Sequence, residues 1–165
     1  EIWEQTEGKI DGFICASGTG GTIAGVSNAL KEKNKNIKIY LSDPKGSCLY
    51  SYIKTKEFKC EGNSITEGIG SSRATKNFEK ALIDDAYSID DTTALTVLFN
   101  LIEQEGLSLG TSSGINVVGA MKLAKELGPN KTIVTILCDK SDRYQGKLFN
   151  KKFLMDKNLP YPRWL

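Results

Sequence analysis

The glycine-rich stretch from Asp11 to Lys33 constrains the fold of this chain more than any other part of the sequence. It begins with residues 11–17, a short run of mostly apolar residues that is typical of a buried strand. The sequence GTGGT follows at residues 18–22, and small or apolar residues then recur at helical spacing up to Lys33. A strand that ends in such a loop and opens a helix directs several backbone N–H groups, and the positive end of the helix dipole, at one point. The stretch therefore predicts a phosphate-binding loop.

Composition excludes several classes of function. The chain has 165 residues, 39% of them hydrophobic and 25% charged, with a formal net charge of +2, which suits one domain with its own core. It has no basic stripe and no long apolar run, so we expect neither nucleic acid nor a membrane as a partner. The absence of histidine excludes a Ser-His-Asp triad, a Cys-His pair and a histidine-based metal site within the chain. We expect no metal site, a cytoplasmic location and, since the sequence opens at Glu1, a piece of a longer protein.

The four cysteines, Cys15, Cys48, Cys60 and Cys138, are scattered and contain no C-x-x-C pair. Their spacing indicates neither a zinc site nor a disulfide framework. Cys15 and Cys138 lie in apolar, strand-like runs, so we expect both to be buried thiols in a reducing compartment.

Strand-like and helical runs alternate along the rest of the chain. The run at residues 37–44 stops at Pro44, so residues 11–43 predict a β-α-β unit with a parallel strand pair. Residues 60–73 are rich in Gly and Ser and predict a functional loop. The alternation predicts an α/β fold, a parallel twisted sheet flanked by helices. Further strands are predicted at residues 86–89 and 132–139, and residues 107–114 predict a strand that runs into a second small-residue turn. Helices are predicted at residues 1–8, 74–82, 90–104, 117–127 and 143–154.

The residues alone leave the identity of the phosphate open. A dinucleotide-binding fingerprint matches at Gly18 and Gly20, with Asp43 at a plausible distance, but Ile23 occupies the place of its third glycine. A P-loop is excluded because no Gly-Lys-Ser/Thr follows the loop. A tight turn without a ligand remains an alternative. Five consecutive residues limited to Gly and Thr exceed what a turn requires and favour a loop that holds one phosphate monoester.

Four segments, in order, resemble a known family. They are SGTGGTIAGV, EGIG, GTSSG and CDKSDRYQGKLFN, and together they span nearly the whole chain. They resemble the cysteine synthases (O-acetylserine sulfhydrylases), which belong to fold type II, the β-family, of pyridoxal-phosphate enzymes. The resemblance implies an incomplete tryptophan synthase β-like fold and pyridoxal 5'-phosphate as cofactor. It also implies that residues 1–165 are the C-terminal part of such an enzyme, because the Ser-x-Lys-like motif with the Schiff-base lysine does not occur here.

The resemblance assigns roles to several residues. Ser112 would hydrogen-bond the pyridine nitrogen, although without the resemblance it reads as a helix cap or part of a turn. A neutral partner at that nitrogen makes the ring a weaker electron sink, which suits β-elimination and replacement. Asp139 and Ser141 would lie near the nitrogen without a direct role, and no catalytic residue is expected in this chain. The cofactor phosphate would be held by Gly18, Thr19, Gly20, Gly21 and Thr22, and a loop beside the substrate would contain Gly68 and Gly70.

The reaction that the resemblance implies is a β-replacement in which acetate leaves O-acetylserine and sulfide adds, giving L-cysteine. Cystathionine β-synthase, or a related serine or threonine lyase, is an alternative within the same chemistry. A non-catalytic homologue that binds a phosphate ligand and a nicotinamide dehydrogenase are alternatives of other classes. The resemblance also implies a homodimer in the full-length protein and makes serine acetyltransferase a candidate partner. We expect the fragment to be inactive alone.

Overall fold

The computed structural model describes residues 1–165. No helix in it is both long enough and apolar enough to cross a bilayer. Two short 3-10 turns cover Phe78–Lys80 and Ser141–Tyr144. The regular elements, in chain order, are α1 (Ile2–Gln5), β1 (Gly12–Cys15), α2 (Gly21–Lys33), β2 (Lys38–Pro44), α3 (Leu49–Thr55), β3 (Asp85–Ile89), α4 (Asp91–Glu105), α5 (Thr111–Leu127), β4 (Ile133–Val134), α6 (Gln145–Leu148) and α7 (Lys151–Asp156).

The four strands form one parallel sheet in the order β3-β2-β1-β4. In this sheet Phe13 of β1 lies between Ile39 of β2 and Val134 of β4. The β1-α2-β2 segment is the predicted β-α-β unit, and the predicted α/β class with a parallel, helix-flanked sheet is confirmed. Parallel strands direct their carboxyl ends to the same edge, so the loops after β1, β2 and β3 share one side of the sheet.

Helices cover both faces of the sheet. All four residues of β1 are buried, as expected of a central parallel strand. Phe13 packs in a core with Ile23 of α2 and Leu49 of α3. On the opposite face, Ile14 packs with Leu123 of α5. Helix α4 packs in turn on α5, so α5 lies between the sheet and α4.

The predicted strand at residues 107–114 is wrong. Only Leu109 forms a bridge, an antiparallel one with Lys140. Helix α5 begins at Thr111 instead of residue 117. The small residues that indicated a turn are packing positions: a Cβ on Gly114 would lie 2.8 Å from Leu98 Cγ, and one on Gly119 would lie 2.9 Å from Ile14 Cδ1.

The predicted strand at residues 132–139 is shorter than expected, since β4 covers only Ile133–Val134. Beyond Val134, side chains replace strand neighbours as hydrogen-bond partners. Asn116 donates to the carbonyl of Ile136 at 2.8 Å, and the Ser113 hydroxyl accepts from the Cys138 amide at 3.0 Å. The chain therefore leaves the sheet and runs along the start of α5.

The predicted helices at residues 74–82 and 143–154 are also corrected. The first is only the 3-10 turn Phe78–Lys80. The second is divided into a 3-10 turn, α6 and α7, with Asn150 capping α7 by accepting a hydrogen bond from the Phe153 amide at 3.0 Å. Asn is a favoured N-cap residue, so Asn150 marks the start of α7 as a separate helix.

The cysteines depart from expectation in two respects. Cys48 and Cys60 form a disulfide, with their Cα atoms 4.3 Å apart, which their spacing did not indicate. Cys15 is buried as predicted, but Cys138 is exposed because it lies beyond the end of β4.

Candidate functional site

The loop between β1 and α2 leaves its backbone amides free for an anion. Gly20 precedes α2 with a φ of 83°, and the first turn of α2 has neither a capping side chain nor an acidic residue. The Ala24 amide donates to the carbonyl of Gly20, whereas the amides of residues 20–23 donate to no group of the chain. These amides border a recess of about 50 Å³ that is lined only by residues 16–23. Unpaired amides at a helix N-terminus bind anions readily.

Close contacts explain two of the glycines in this loop. A Cβ on Gly18 would collide with the carbonyl oxygen of Gly68. A Cβ on Gly20 would lie 2.6 Å from the backbone nitrogen of Phe78. Gly21, in contrast, has only Thr19 Oγ1 near it, at 3.8 Å, so the recess stays open beside it. Thr19 and Thr22 are exposed at the rim of the recess.

A second cleft of about 430 Å³ adjoins this recess. Gly68 connects them, because its carbonyl packs against Gly18 and the residue itself lines the cleft. The Gly70 amide donates to the Ser17 carbonyl at 2.8 Å, which fixes the end of the 68–70 turn beside the phosphate loop. The residues predicted from GTGGT, EGIG and GTSSG therefore meet in one place. The cleft is lined by Glu67, Gly68, Ile69, Ser112, Cys138, Asp139, Arg143 and Tyr144.

Ser112 lies in the first turn of α5, where it is 5% exposed and faces this cleft. The N-cap position belongs to Gly110, which has no side chain to cap the helix, so the interpretation of Ser112 as a cap is wrong. The first turn of α5 also carries no acidic residue. The positive end of the helix dipole and the serine hydroxyl thus both favour a hydrogen-bond acceptor in the cleft.

Three buried polar atoms around the recess and the cleft have no hydrogen-bond partner: Ser17 Oγ, Thr111 Oγ1 and Asp139 Oδ1. Such atoms are rare in folded proteins, and each costs about 1–3 kcal/mol when it is left without a partner. Ser17 lines the recess, Asp139 lines the cleft, and Thr111 precedes Ser112. The recess and the cleft thus each have a lining residue with an unpartnered polar atom, Ser17 in the recess and Asp139 in the cleft.

Asp139 is held by Tyr144, whose hydroxyl donates to Asp139 Oδ2 at 2.7 Å. This hydrogen bond, together with burial, raises the pKa of Tyr144 to about 12, so the side chain is a neutral phenol at physiological pH. Asp139 lines the same cleft as Ser112. Ser141 lies away from the cleft, with its hydroxyl 2.6 Å from that of Ser108.

Asn116 of α5 connects the end of β1 to the segment that follows β4, and no sequence motif predicts this role. Its side chain is 1% exposed. Its Oδ1 accepts a hydrogen bond from the Ala16 amide at 2.6 Å, two residues before the phosphate loop. Its Nδ2 donates to Ile136 at 2.8 Å, in the segment that leads to Cys138 and Asp139. The only hint is a polar residue among the apolar residues of α5.

Asp43 and Ile23 argue against a dinucleotide site. Asp43 is fully buried, and its Oδ2 accepts from the Tyr50 amide at 2.7 Å in the first turn of α3, so it does not face a ligand. Ile23 lies in the first turn of α2, and its side chain is fully buried in the core between α2 and the sheet. Neither the acid nor the third glycine position is therefore available to a nicotinamide dinucleotide.

Burial raises the pKa of Asp43 to about 6, from an ordinary value of 3.8. The folded protein thus holds this proton more tightly than the unfolded chain does, and the contribution of Asp43 to stability should fall as pH rises from about 4 to about 6 and then stay level. Since one pKa unit corresponds to about 1.4 kcal/mol, the loss amounts to about 3 kcal/mol. Asp43→Asn should flatten this part of the curve, as measured by urea unfolding between pH 4 and pH 7. The exposed Asp156→Asn control should keep it, and an unchanged slope in Asp43→Asn would contradict the prediction.

Taken together, the fold and the site define an α/β protein that binds a small phosphorylated ligand at the carboxyl end of a parallel sheet. Residues 1–139 match the family model described as pyridoxal-phosphate dependent enzyme. The chain belongs to this family, and the cofactor that the family indicates is pyridoxal phosphate.

Curated relatives include cysteine synthases. A cysteine synthase of Dictyostelium discoideum is 46% identical over 168 residues, which cover 96% of this chain and 44% of that protein. Cysteine synthase 1 of Neurospora crassa is also 46% identical, with the same coverage of 96% and 44%. A cystathionine beta-synthase of Apis mellifera is 37% identical, over 98% of this chain and 32% of that protein. The chain thus spans less than half the length of these relatives.

A solved structure supports the same assignment. The O-acetylserine dependent cystathionine beta-synthase from Helicobacter pylori superposes with a TM-score of 0.79 at 32% identity, covering 88% of this chain and 45% of that one. The residues present here fit pyridoxal phosphate: unpaired amides suit its phosphate, and the α5 N-terminus with Ser112 suits its ring nitrogen. The dinucleotide interpretation is therefore wrong.

Proposed function

We propose that the protein containing this chain carries out β-replacement, forming L-cysteine from O-acetylserine and sulfide. The observation that carries the proposal is the convergence of the unpaired amides at residues 20–23, Ser112 and residues 67–69 on one pair of adjoining cavities. The relatives named cysteine synthase support the choice of reaction. When bound, the cofactor would supply the electron sink that activates the amino-acid substrate at its α-carbon.

The residues of this chain would bind and orient the cofactor. Ser112 would donate its hydroxyl proton to the ring nitrogen without placing a charge there, which suits replacement over transamination. Gly68 and Gly70 would let backbone approach the substrate side, and both have a positive φ, of 75° and 80°. The phosphate would be held by Gly18, Thr19, Gly20, Gly21 and Thr22.

No lysine lines the recess or the cleft. We therefore propose that the Schiff-base lysine comes from a part of the full-length protein outside residues 1–165, and that this chain is the C-terminal part and is inactive alone. A homodimer, binding of serine acetyltransferase and a cytoplasmic location belong to the same proposal. One relative is named as a putative mitochondrial cysteine synthase, so location is best tested directly.

Cystathionine β-synthase, or a related serine or threonine lyase, is the second candidate. It is favoured by the bee relative and by the Helicobacter pylori structure, whose name joins O-acetylserine with cystathionine formation. Both reactions need the same recess and the same Ser112, and they differ in the nucleophile. Incubation of the full-length protein with O-acetylserine and either sulfide or homocysteine separates them by product. Retention of pyridoxal phosphate without either product would favour a non-catalytic binding homologue.

Ser112→Ala tests the role of the cleft. We expect kcat with O-acetylserine to fall about tenfold or more, because loss of one hydrogen bond to the ring is worth about 1–3 kcal/mol. The absorption spectrum of the bound cofactor should shift as well. Ser72→Ala is a matched control, since Ser72 is exposed on the surface. Activity and spectrum unchanged in Ser112→Ala would remove this residue from the site.

A further inference from the structure

Residues 64–70, here named the cleft loop, have no helix or strand, yet both ends are fixed. At its start, the two carboxylate oxygens of Asp91 accept hydrogen bonds from the Ser64 hydroxyl at 2.5 Å and from the Ile65 amide at 2.7 Å. At its end, the Gly70 amide donates to Ser17 at 2.8 Å. The part that faces the cleft lies between these two anchors.

The middle of the cleft loop has few supports of its own. The amides of residues 67–69 donate no hydrogen bond within the chain. A Cβ on Gly68 would meet no atom within 4 Å, so this glycine faces open space. Two contacts hold residues 68 and 69: the Gly68 carbonyl packs against Gly18, and the Ile69 side chain packs on the core cluster that contains Ile89 and Ile115. The position of Glu67 therefore depends on side chains that reach it from elsewhere.

Lys147 of α6 is such a side chain. Its Nζ donates to the Ile65 carbonyl at 3.1 Å and forms an ion pair with the Glu67 carboxylate. The hydrogen bond from Lys147 lowers the pKa of Glu67. The Lys147 side chain is 31% exposed and that of Glu67 is 57% exposed, so water reaches the ion pair, and the hydrogen bond to the Ile65 carbonyl is the more sheltered of the two contacts.

Lys147 also connects the cleft loop to the opposite wall. It follows Arg143 and Tyr144, which line the cleft across from Glu67 and Gly68. Arg143 is exposed and forms no ion pair with Glu67, although its charge also lowers the pKa of that carboxyl group. Lys147 thus joins α6 to the cleft loop, in addition to the packing of Ile65 on the cluster that contains Tyr144 and Leu148.

We propose that Lys147 is a positioning residue that holds the cleft loop and thereby sets the access of the amino-acid substrate to the cofactor. The proposal rests on the proposed function, since it is the substrate side of the same site. Lys147 contacts neither the recess at residues 16–23 nor Ser112, so its loss should affect substrate binding while leaving cofactor affinity unchanged.

The test compares Lys147→Met, Lys147→Arg and the control Lys152→Met in the full-length protein. Lys152 is exposed in α7 and has no ion pair. In Lys147→Met we expect the hydrogen-bonded amides of Ile65 and Gly70, measured in a peptide covering residues 64–71, to exchange about tenfold faster, because the loop loses the hydrogen bond and the ion pair that join it to α6. The KM for O-acetylserine should rise with little change in kcat, and the Kd for pyridoxal phosphate should stay the same. Lys147→Arg should restore most of both properties.

Two results would overturn the proposal. One is wild-type exchange at residues 64–71 in Lys147→Met. The other is faster exchange throughout the chain, which would indicate a general structural role. Exchange and cofactor affinity do not require turnover, so they decide the role of Lys147 even if the protein forms no cysteine, a result that would refute the proposed function separately.

Discussion

Gly18→Ala is expected to weaken binding of pyridoxal phosphate to the full-length protein about tenfold or more. The added Cβ would collide with the Gly68 carbonyl, a backbone atom that cannot rotate away. To relieve the collision, the phosphate loop must separate from the cleft loop, and overpacking of this kind costs about 1–3 kcal/mol. Titration with pyridoxal phosphate, followed by absorbance or fluorescence, measures the loss.

Gly25→Ala is the control for this prediction. Gly25 lies on the exposed side of α2, and a Cβ there would meet no atom within 4 Å. Since alanine favours a helix more than glycine does, this variant should bind the cofactor like the wild type and be slightly more stable. Equal affinity of Gly18→Ala and the wild type would show that the two loops do not need their close contact to hold the cofactor.

The phosphate loop could be predicted because its signal is local. The run before Gly18, the glycines and the apolar spacing after Thr22 all lie within one β-α-β unit, and all three agree on the same structure. The site segments were found by resemblance, and the structure brings Gly68 and Ser112 to the same cleft.

The start of α5 could not be predicted in this way because its glycines serve tertiary contacts. Gly114 is required where α5 meets Leu98 and the Ala94 carbonyl of α4, and Gly119 where it meets Ser42 and Ile14 of the sheet. In the sequence, such glycines look like turn residues. The partners that explain them are not neighbours in the chain, so no local pattern reveals them.

Long-range contacts also explain why the sequence did not predict the residues that hold the site together. Lys147 reaches Ile65 across 82 positions and Asn116 reaches Ala16 across 100. The bond between Cys48 and Cys60 was missed for a different reason, because a separation of 12 residues matches no short cysteine motif.

Asn116→Ala is expected to lower the free energy of unfolding by about 3 kcal/mol. The substitution leaves the Ala16 amide and the Ile136 carbonyl without their partner and removes side-chain volume from a position that is 1% exposed. Both partners belong to segments that lead into the site, so the phosphate loop and the segment before Asp139 should loosen together. Urea unfolding gives the stability, and cofactor titration of the same variant should show weaker binding.

Asn100→Ala provides the comparison, since Asn100 is exposed on α4 and its change should stay within about 0.5 kcal/mol. A purely local effect of Asn116 would lower stability without affecting the cofactor. Weaker cofactor binding in Asn116→Ala would instead show that one amide side chain couples the end of β1 to the start of α5, the two elements that bracket the site. Stability within about 0.5 kcal/mol of the wild type would contradict the prediction, because the two hydrogen bonds would then contribute nothing to the fold.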